Sequence, residues 1–332
     1  MTRIPSIAAK TLAAVLALCL LVAALYALAE HYQRRDYLGH FLEQKGQLVS
    51  VEETPIEQGP GHSLLQFRLV NDRGIRVEGF MSLPSTPGGP YPVLLILGGL
   101  RTGKRTLDYV GHSEDLVLVA LDYPYEGKKR RLSAWEFVRG LPDMRRSVLN
   151  TVPAVMLSVD YLLDRKEIDP DRIVLIGGSL GALFSPAAGA VDQRIAAVGL
   201  IFGGGDLQAI AKANVKAPGP LRRLAAWFLA VLVSPVEPLK YIDRISPRPL
   251  LMLNGTDDPQ IPEPCTRLLY EKAKDPKTIR WIPTGHVNVR KTEFGRLVGR
   301  ELATWLADND LTPPQALYPD SFRAPPAVRK QD

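Results

Sequence analysis

A serine between glycines and a single downstream histidine are the residues of this chain best suited to chemistry. Ser179 stands in the segment Gly177–Gly181, which matches the pattern G-x-S-x-G. A serine hydroxyl becomes a nucleophile when a histidine takes its proton and an acid orients that histidine. The chain has five histidines, and only His286 follows Ser179. These residue types predict attack by Ser179 on a carbonyl carbon, with His286 as the base.

Two neighbouring aspartates are candidates for the acid, and spacing alone does not separate them. Asp257 and Asp258 both follow the apolar run Leu250–Leu253 and precede Pro259. A helix-capping role would account for either residue equally well. The order serine, aspartate, histidine along the chain differs from the orders of the chymotrypsin-like and subtilisin-like proteases.

Short apolar runs that alternate with helix-length segments must position these residues. Near-continuous apolar runs are typical of parallel strands covered on both faces. The predicted strands are Pro92–Leu97, Leu116–Leu121, Arg172–Ile176, Ala196–Phe202, Pro249–Leu253 and Thr278–Ile282, after an antiparallel pair at Leu64–Val70 and Gly74–Leu83. The predicted helices are Asp143–Arg165, Leu180–Val191, Glu263–Ala273 and Thr292–Ala307. This alternation predicts an α/β fold with a mostly parallel, doubly wound sheet flanked by helices, preceded by a polar lead-in at 33–60.

The motifs together resemble those of the α/β-hydrolase superfamily, above all esterases, dienelactone-hydrolase-like proteins and prolyl-oligopeptidase-like catalytic domains. The similar stretches are GFMSLP (79–84), YPVLLILGG (91–99), IDPDRIVLIGGSLGA (168–182), LLMLNGTDDPQIP (250–262) and PTGH (283–286). The family's acid motif, G-x-x-D-x-x-hydrophobic-P, falls on Gly255, Asp258, Ile261 and Pro262, so the resemblance implies Asp258 as the acid. Leu97 stands where many relatives have a non-catalytic histidine. The resemblance implies a reaction without a metal or an organic cofactor.

Negative charge that develops on the carbonyl oxygen requires backbone N–H groups aimed at it. We expect one from Leu180, directly after the nucleophile, and one from Gly99, in the loop after the first parallel strand. A tight strand exit without a ligand role is the alternative for Gly99. The same loop matches G-x-x-x-x-G-K of a phosphate-binding loop, but Arg105 stands where that motif needs serine or threonine for magnesium. Nucleotide hydrolysis is therefore disfavoured.

An uncharged apolar run lies near the amino terminus. Thr11–Ala29 has 19 residues, close to the roughly 20 that a helix needs to cross a bilayer. We expect residues 1–32 to anchor the chain in a membrane, with the catalytic domain outside the cytoplasm. A signal peptide cleaved after Ala29, which would release a secreted or periplasmic protein, is the alternative. Residues 33–311 form the predicted hydrolase domain, and residues 312–332, which contain five prolines, form a tail.

A long interval interrupts the alternation of strands and helices. We expect residues 206–246 to form a helical cap insertion that includes the apolar segment Leu221–Val233. Trp227 and Phe228 would then bind the acyl part of a substrate. An ordinary core helix is the equal alternative for this segment.

The charge and the cysteine content indicate which classes of partner the chain can bind. Its charged fraction of 23% is ordinary for a globular protein, and its net charge of +6 favours anionic surfaces but does not indicate nucleic acid. Basic residues at Arg101–Arg105 and Lys128–Arg131 predict a positive rim beside the nucleophile. The two cysteines, Cys19 and Cys265, have no zinc-binding spacing, so we expect no metal site.

These observations predict a serine hydrolase that cleaves small-molecule carboxylic esters through an acyl-enzyme intermediate. A serine peptidase of the same fold is the enzymatic alternative. A membrane-tethered binding protein that retains the three residues without using them is the alternative from another class. The sequence does not indicate an oligomeric state.

Overall fold

A single mixed sheet runs through the protein. The computed structural model describes residues 7–85, 88–127, 133–287 and 292–312. Within these residues, nine strands form one sheet in the order β1-β2-β3-β5-β4-β6-β7-β8-β9. The strands are β1 (Leu48–Gly59), β2 (His62–Asn71), β3 (Arg76–Pro84), β4 (Tyr91–Leu97), β5 (Val117–Leu121), β6 (Ile168–Gly178), β7 (Ala197–Ile201), β8 (Leu250–Gly255) and β9 (Lys277–Ile282).

The six strands from β4 to β9 are parallel, as predicted from their continuous apolar runs. Helices connect most of them, so that their carboxyl ends meet at one edge of the sheet. The described helices are α1 (Ile7–Arg34), α2 (Leu38–Lys45), α3 (Leu107–Val110), α4 (Ala134–Leu163), α5 (Leu180–Val191), α6 (Leu207–Asn214), α7 (Gly219–Val233), α8 (Glu263–Lys272) and α9 (Thr292–Asp308). The predicted α/β architecture is confirmed.

The antiparallel part of the sheet is larger than predicted. Strands β2 and β3 form the expected pair around the turn after Asn71, and β3 continues antiparallel to β5. Residues 33–60, expected as a polar lead-in, instead contain α2 and the twelve-residue strand β1, which pairs with β2. Most side chains of β1 are exposed, because the strand lies at the edge of the sheet.

Alternating side chains of the central strands fill two separate cores. Val93, Leu95 and Leu97 of β4 belong to the core under α2, α4 and α5. Leu94 and Ile96 point to the opposite face and pack into the core under α3 and α9. Both faces of the parallel strands are therefore covered, which explains why nearly every residue in them is apolar.

The long interval after β7 is helical, as expected for residues 206–246. It contains α6, α7 and three short 3₁₀ turns between Ser234 and Arg244. Because this segment leaves the sheet at the end of β7 and returns at the start of β8, α6 and α7 are additions to the alternating plan.

Two described helices are long and apolar enough to cross a membrane by length and composition. One is the amino-terminal helix, at Ala9–Arg34, and the other runs from Gly219 to Val236 and includes α7. The large apolar side chains of α1 are exposed, whereas the small side chain of Ala29, near the carboxyl end of the helix, is buried. The expected Pro-rich tail falls almost entirely on residues 313–332, outside the described residues.

Helix α5 crosses the end of β4 at very short range. Gly181, in the first turn of α5, lies so close to β4 that a Cβ atom there would be 2.0 Å from the carbonyl oxygen of Leu97. A Cβ atom on Gly178 would meet no atom closer than 3.8 Å. Only glycine at 181 therefore allows this crossing, whereas position 178 has room for a methyl group.

We expect Gly181→Ala to lower the free energy of unfolding by at least about 2 kcal/mol, because helix and strand must separate to admit the methyl group. Gly178→Ala is the matched control and should change it by less than about 1 kcal/mol. Denaturant unfolding of both variants, followed by circular dichroism in detergent, measures the difference. Equal losses in the two variants would contradict the argument.

Candidate active site

The backbone at Ser179 adopts a conformation that non-glycine residues rarely occupy. Its φ is 52° and its ψ is −109°, at the turn between β6 and α5. Such angles cost about 1–3 kcal/mol and persist only where surrounding structure holds them. The N–H of Ser179 donates to the carbonyl oxygen of Ile201 in β7, at 2.8 Å. The strained turn lifts the serine side chain out of the sheet at the edge where the parallel strands end.

Ser179, His286 and Asp258 form a continuous hydrogen-bonded chain. The hydroxyl oxygen of Ser179 lies 2.8 Å from Nε2 of His286. On the other side of the ring, Nδ1 of His286 lies 2.7 Å from Oδ2 of Asp258. The carboxylate oxygen can only accept, so Nδ1 carries a hydrogen and Nε2 is left to accept the hydroxyl proton.

The loop after β8 separates the roles of the two aspartates. Oδ1 of Asp258 accepts hydrogen bonds from the backbone N–H groups of Gln260 and Ile261, at 2.8 and 3.1 Å. These bonds fix the carboxylate, so that its second oxygen points to the histidine. The carboxylate of Asp257 instead accepts from the hydroxyl of Thr256, at 3.0 Å. Of the two candidates, Asp258 is the one in contact with His286.

The histidine–aspartate pair is almost fully removed from solvent. The Asp258 side chain is 2% exposed and the His286 side chain is 10% exposed. The buried ring of Phe202 meets the imidazole edge-on, with the ring centres 5.6 Å apart. Water therefore does not compete for the hydrogen bond between the two side chains.

The two predicted oxyanion donors lie on neighbouring elements. Leu180 is the first residue of α5, so its N–H cannot bond within the helix. Gly99 follows β4, and its carbonyl oxygen accepts from the N–H groups of Thr102 and Gly103, at 3.1 and 3.3 Å. These bonds close the loop after β4 into a turn. The contact of α5 with the end of β4 brings that turn beside the first turn of α5.

Sequence reasoning missed Tyr123, which holds the loop after β4. Its hydroxyl donates a hydrogen bond to the carbonyl oxygen of Gly98. Burial raises the pKa of this hydroxyl, so it remains protonated and acts as a donor. Tyr123 comes two residues after β5 ends, and its position at the carboxyl edge of the sheet was the available signal.

Part of the predicted positive rim is neutralised within the protein. The ammonium group of Lys104 lies 2.6 Å from a carboxylate oxygen of Glu78 and 3.7 Å from one of Asp122. The hydrogen bond from Lys104 lowers the pKa of Glu78. Lys104 therefore helps to fix the loop after β4 and is not available to attract an anion. The second predicted cluster, at 128–131, lies outside the described residues.

The two residues expected to bind an acyl chain lie on α7. The ring of Trp227 stacks on Tyr26 of α1, with ring centres 6.2 Å apart, and Phe228 is 41% exposed. Their contact with a substrate stays a prediction.

The remaining thiol and metal candidates add no chemistry. Cys265 is buried, and burial raises the pKa of its thiol to about 11, far from thiolate formation at neutral pH. In the part of the chain that the structure describes, no three metal-binding side chains come together.

Matches to known protein sequences cover only part of the chain. No family model matches it. The uncharacterized protein YfhR of Escherichia coli K12 is 28% identical over 170 residues, which cover 50% of this chain and 53% of that protein. The protein of the same name from Salmonella typhi is 28% identical over 152 residues, 42% of this chain and 49% of that protein. The chain thus spans about half the length of the curated relatives it matches.

Solved structures match over much more of the chain. Acetyl xylan esterase 1 from Thermoanaerobacterium sp. JW/SL YS485 superposes with a TM-score of 0.60 and 19% identity, over 80% of this chain and 90% of that one. An acetyl xylan esterase from Paenibacillus sp. R4 gives 0.61 and 18%, over 80% and 93%. A cold-adapted esterase from an Arctic intertidal metagenomic library gives 0.55 and 17%, over 79% and 99%. Identities this low establish the fold alone. The chain has the α/β-hydrolase fold, as its motifs predict.

Proposed function

We propose that this protein is a serine hydrolase that cleaves carboxylic esters. The observation that carries the proposal is the hydrogen-bonded chain from Ser179 through His286 to Asp258. A hydroxyl next to the free nitrogen of an oriented imidazole is the arrangement that nucleophilic acyl transfer requires. The strained turn at the serine is only half-buried, which supports access for a substrate carbonyl.

In the first half of the reaction, the hydroxyl oxygen of Ser179 attacks the ester carbonyl carbon while Nε2 of His286 takes its proton. The N–H groups of Gly99 and Leu180 donate to the resulting oxyanion. Asp258 stabilises the imidazolium and keeps its orientation. When the tetrahedral intermediate collapses, the imidazolium gives its proton to the departing alcohol, and the acyl group remains on the serine.

In the second half, a water molecule replaces the alcohol. His286 takes a proton from the water as it attacks the acyl-serine, and the same two N–H groups bind the second oxyanion. Collapse returns the proton to the serine oxygen and releases the carboxylic acid. Each proposed step uses groups of this chain and water.

We further propose that α1 anchors the hydrolase domain in a membrane. Its exposed apolar side chains and its length support this role. The position of the domain outside the cytoplasm stays a prediction.

Because the three side chains act as a unit, Ser179→Ala, His286→Ala and Asp258→Asn should each reduce ester turnover by about 10³-fold or more, with little additivity in combination. Asp257→Asn is the matched control and should retain most of the turnover. Hydrolysis of p-nitrophenyl esters measures all four variants. Near-normal turnover in His286→Ala would refute the assignment.

A fluorophosphonate probe separates an enzyme from a binding protein on the same scaffold. We expect the probe to react with the intact protein and not with Ser179→Ala, as peptide mapping would verify. An unlabelled Ser179 in the folded protein would favour the non-catalytic alternative. A panel of ester and amide substrates of equal acyl length distinguishes an esterase from a peptidase.

Tyr123 is proposed as a positioning residue for the oxyanion site. In a trans peptide the C=O and the following N–H point in opposite directions. The hydrogen bond from Tyr123 to the Gly98 carbonyl therefore fixes the direction of the Gly99 N–H. Without it, the peptide plane is free to rotate and the donor is no longer held in one orientation.

We expect Tyr123→Phe to lower kcat about tenfold with KM changed less than about twofold, because a donor aimed at the oxyanion acts on the transition state. The affinity for a trifluoromethyl ketone, which forms a tetrahedral adduct, should fall in parallel with kcat. Tyr125→Phe, in the same loop, is the control and should alter neither. A Tyr123→Phe enzyme that loses stability but keeps both constants would assign the tyrosine to the fold alone.

A further inference from the structure

Helix α7 exposes a stripe of large apolar side chains. Leu221, Leu224 and Phe228 are 56%, 61% and 41% exposed. Their spacing of three and four residues places them on one face of the helix. These three residues are called the α7 stripe below. Soluble monomers rarely expose contiguous apolar patches without a partner for them.

The opposite face of α7 is fixed to the domain. Ala226 and Ala230 are buried, and the helix packs against α6. The guanidinium group of Arg145 in α4 donates to the carbonyl oxygens of Val231 and Leu232 near the end of α7. A helix held in this way can neither rotate its stripe inward nor cross a membrane, although its composition would allow a span.

The α7 stripe is continuous with the apolar surface of α1. Tyr26 and Trp227 stack with an angle of 10° between their rings, and the end of α1 also packs on the segment that follows α7. Neighbouring side chains of α1 such as Val22 and Leu25 are exposed by more than half. An environment that covers α1 therefore reaches the α7 stripe as well. Tyrosine and tryptophan are also the side chains enriched at the boundary between lipid and water.

Positive charge borders this apolar surface. Arg222 and Arg223 flank the α7 stripe at the start of the helix, and both are exposed. A cavity of about 260 Å³ at the carboxyl end of α1 is lined by both basic and acidic side chains. Arg34 and Arg244 in its lining are paired with Glu30 and Asp36, so much of its positive charge is compensated within the protein. An apolar stripe flanked by basic side chains is the pattern of helices that lie in the plane of an anionic bilayer surface.

We propose that the α7 stripe is a second membrane contact, which rests on the bilayer surface beside α1. Depths of about 5–10 Å are usual for such helices. Helix α7 packs against α6, which follows β7 at the carboxyl edge of the sheet, the edge at which Ser179, Asp258 and His286 lie. The contact therefore holds the candidate active site close to the lipid. The substrate class that follows is an ester whose acyl chain partitions into the bilayer. This step rests on the proposed ester hydrolysis.

Quenching by lipids tests the contact independently of catalysis. The full chain, with Cys19→Ala and Cys265→Ala, receives one new cysteine, either Leu224→Cys in the α7 stripe or Ile56→Cys in the edge strand β1. Ile56 is 50% exposed and thus comparably accessible. Each is labelled with an environment-sensitive fluorophore and reconstituted in vesicles of phosphatidylcholine and phosphatidylglycerol that contain nitroxide-labelled lipid.

We expect the label at 224 to be quenched at least threefold more strongly than the label at 56. Equal quenching at the two positions would overturn the proposal. Disulfide cross-linking between two chains through the cysteine at 224, with weak quenching there, would assign the α7 stripe to a second copy and would also overturn it.

A second experiment tests the substrate class. The double variant Leu221→Ser/Leu224→Ser should hydrolyse a long-chain ester embedded in vesicles about tenfold more slowly than the original chain, with hydrolysis of a soluble acetate ester unchanged. Equal losses on both esters would place α7 in the fold rather than at the bilayer and would contradict the proposal. If the original chain cleaves neither ester, the proposed ester hydrolysis fails, while the quenching result stands by itself.

Discussion

The contact between Gly181 and the carbonyl oxygen of Leu97 determines the geometry of the candidate site. It allows α5 to begin directly above the end of β4, so that the first turn of the helix and the loop after β4 share one small volume. A larger residue at 181 would move Leu180 away from Gly99, and these are the two residues that we propose as donors to one oxyanion. The unfavourable backbone angles of Ser179 are held by the same crossing, because both ends of its turn are attached to packed elements.

Much of this fold could be predicted because the central strands are buried on both faces. Their sequences are almost purely apolar, and α5 begins and ends where the pattern predicted. Strand β1 was missed because an edge strand with mostly exposed side chains has no apolar run, and its pairing with β2 is the main reason it is a strand. Helix α4 begins nine residues before the predicted start at Asp143, since Ser133 and Glu136 form a capping box and the helix continues through Pro142.

Some residues of the candidate site could likewise be predicted from the sequence, and others could not. The positions of Ser179 and His286 follow from local patterns at strand ends, which are visible in one sequence. The choice between Asp257 and Asp258 depended on resemblance, because both follow the same strand and only the contact with His286 distinguishes them. The position of Tyr123 after β5 marked it as a residue of the carboxyl edge, but its role there did not follow from the residues around it. Its partner, the carbonyl of Gly98, lies on another strand exit, and the strand order that makes them neighbours is a property of the whole sheet.

The apolar composition of α7 does not determine the role of this helix. An apolar segment of this length suits a cap, a core helix or a membrane contact equally well, and these differ only in which face is attached. The attachment is made by Arg145 and by the two buried alanines, which lie opposite the α7 stripe. With that face fixed, hiding the stripe within the domain would require breaking the hydrogen bonds from the half-buried Arg145 to the end of α7. An apolar partner outside the domain can cover the α7 stripe without breaking these bonds, and α1 already extends beside the stripe.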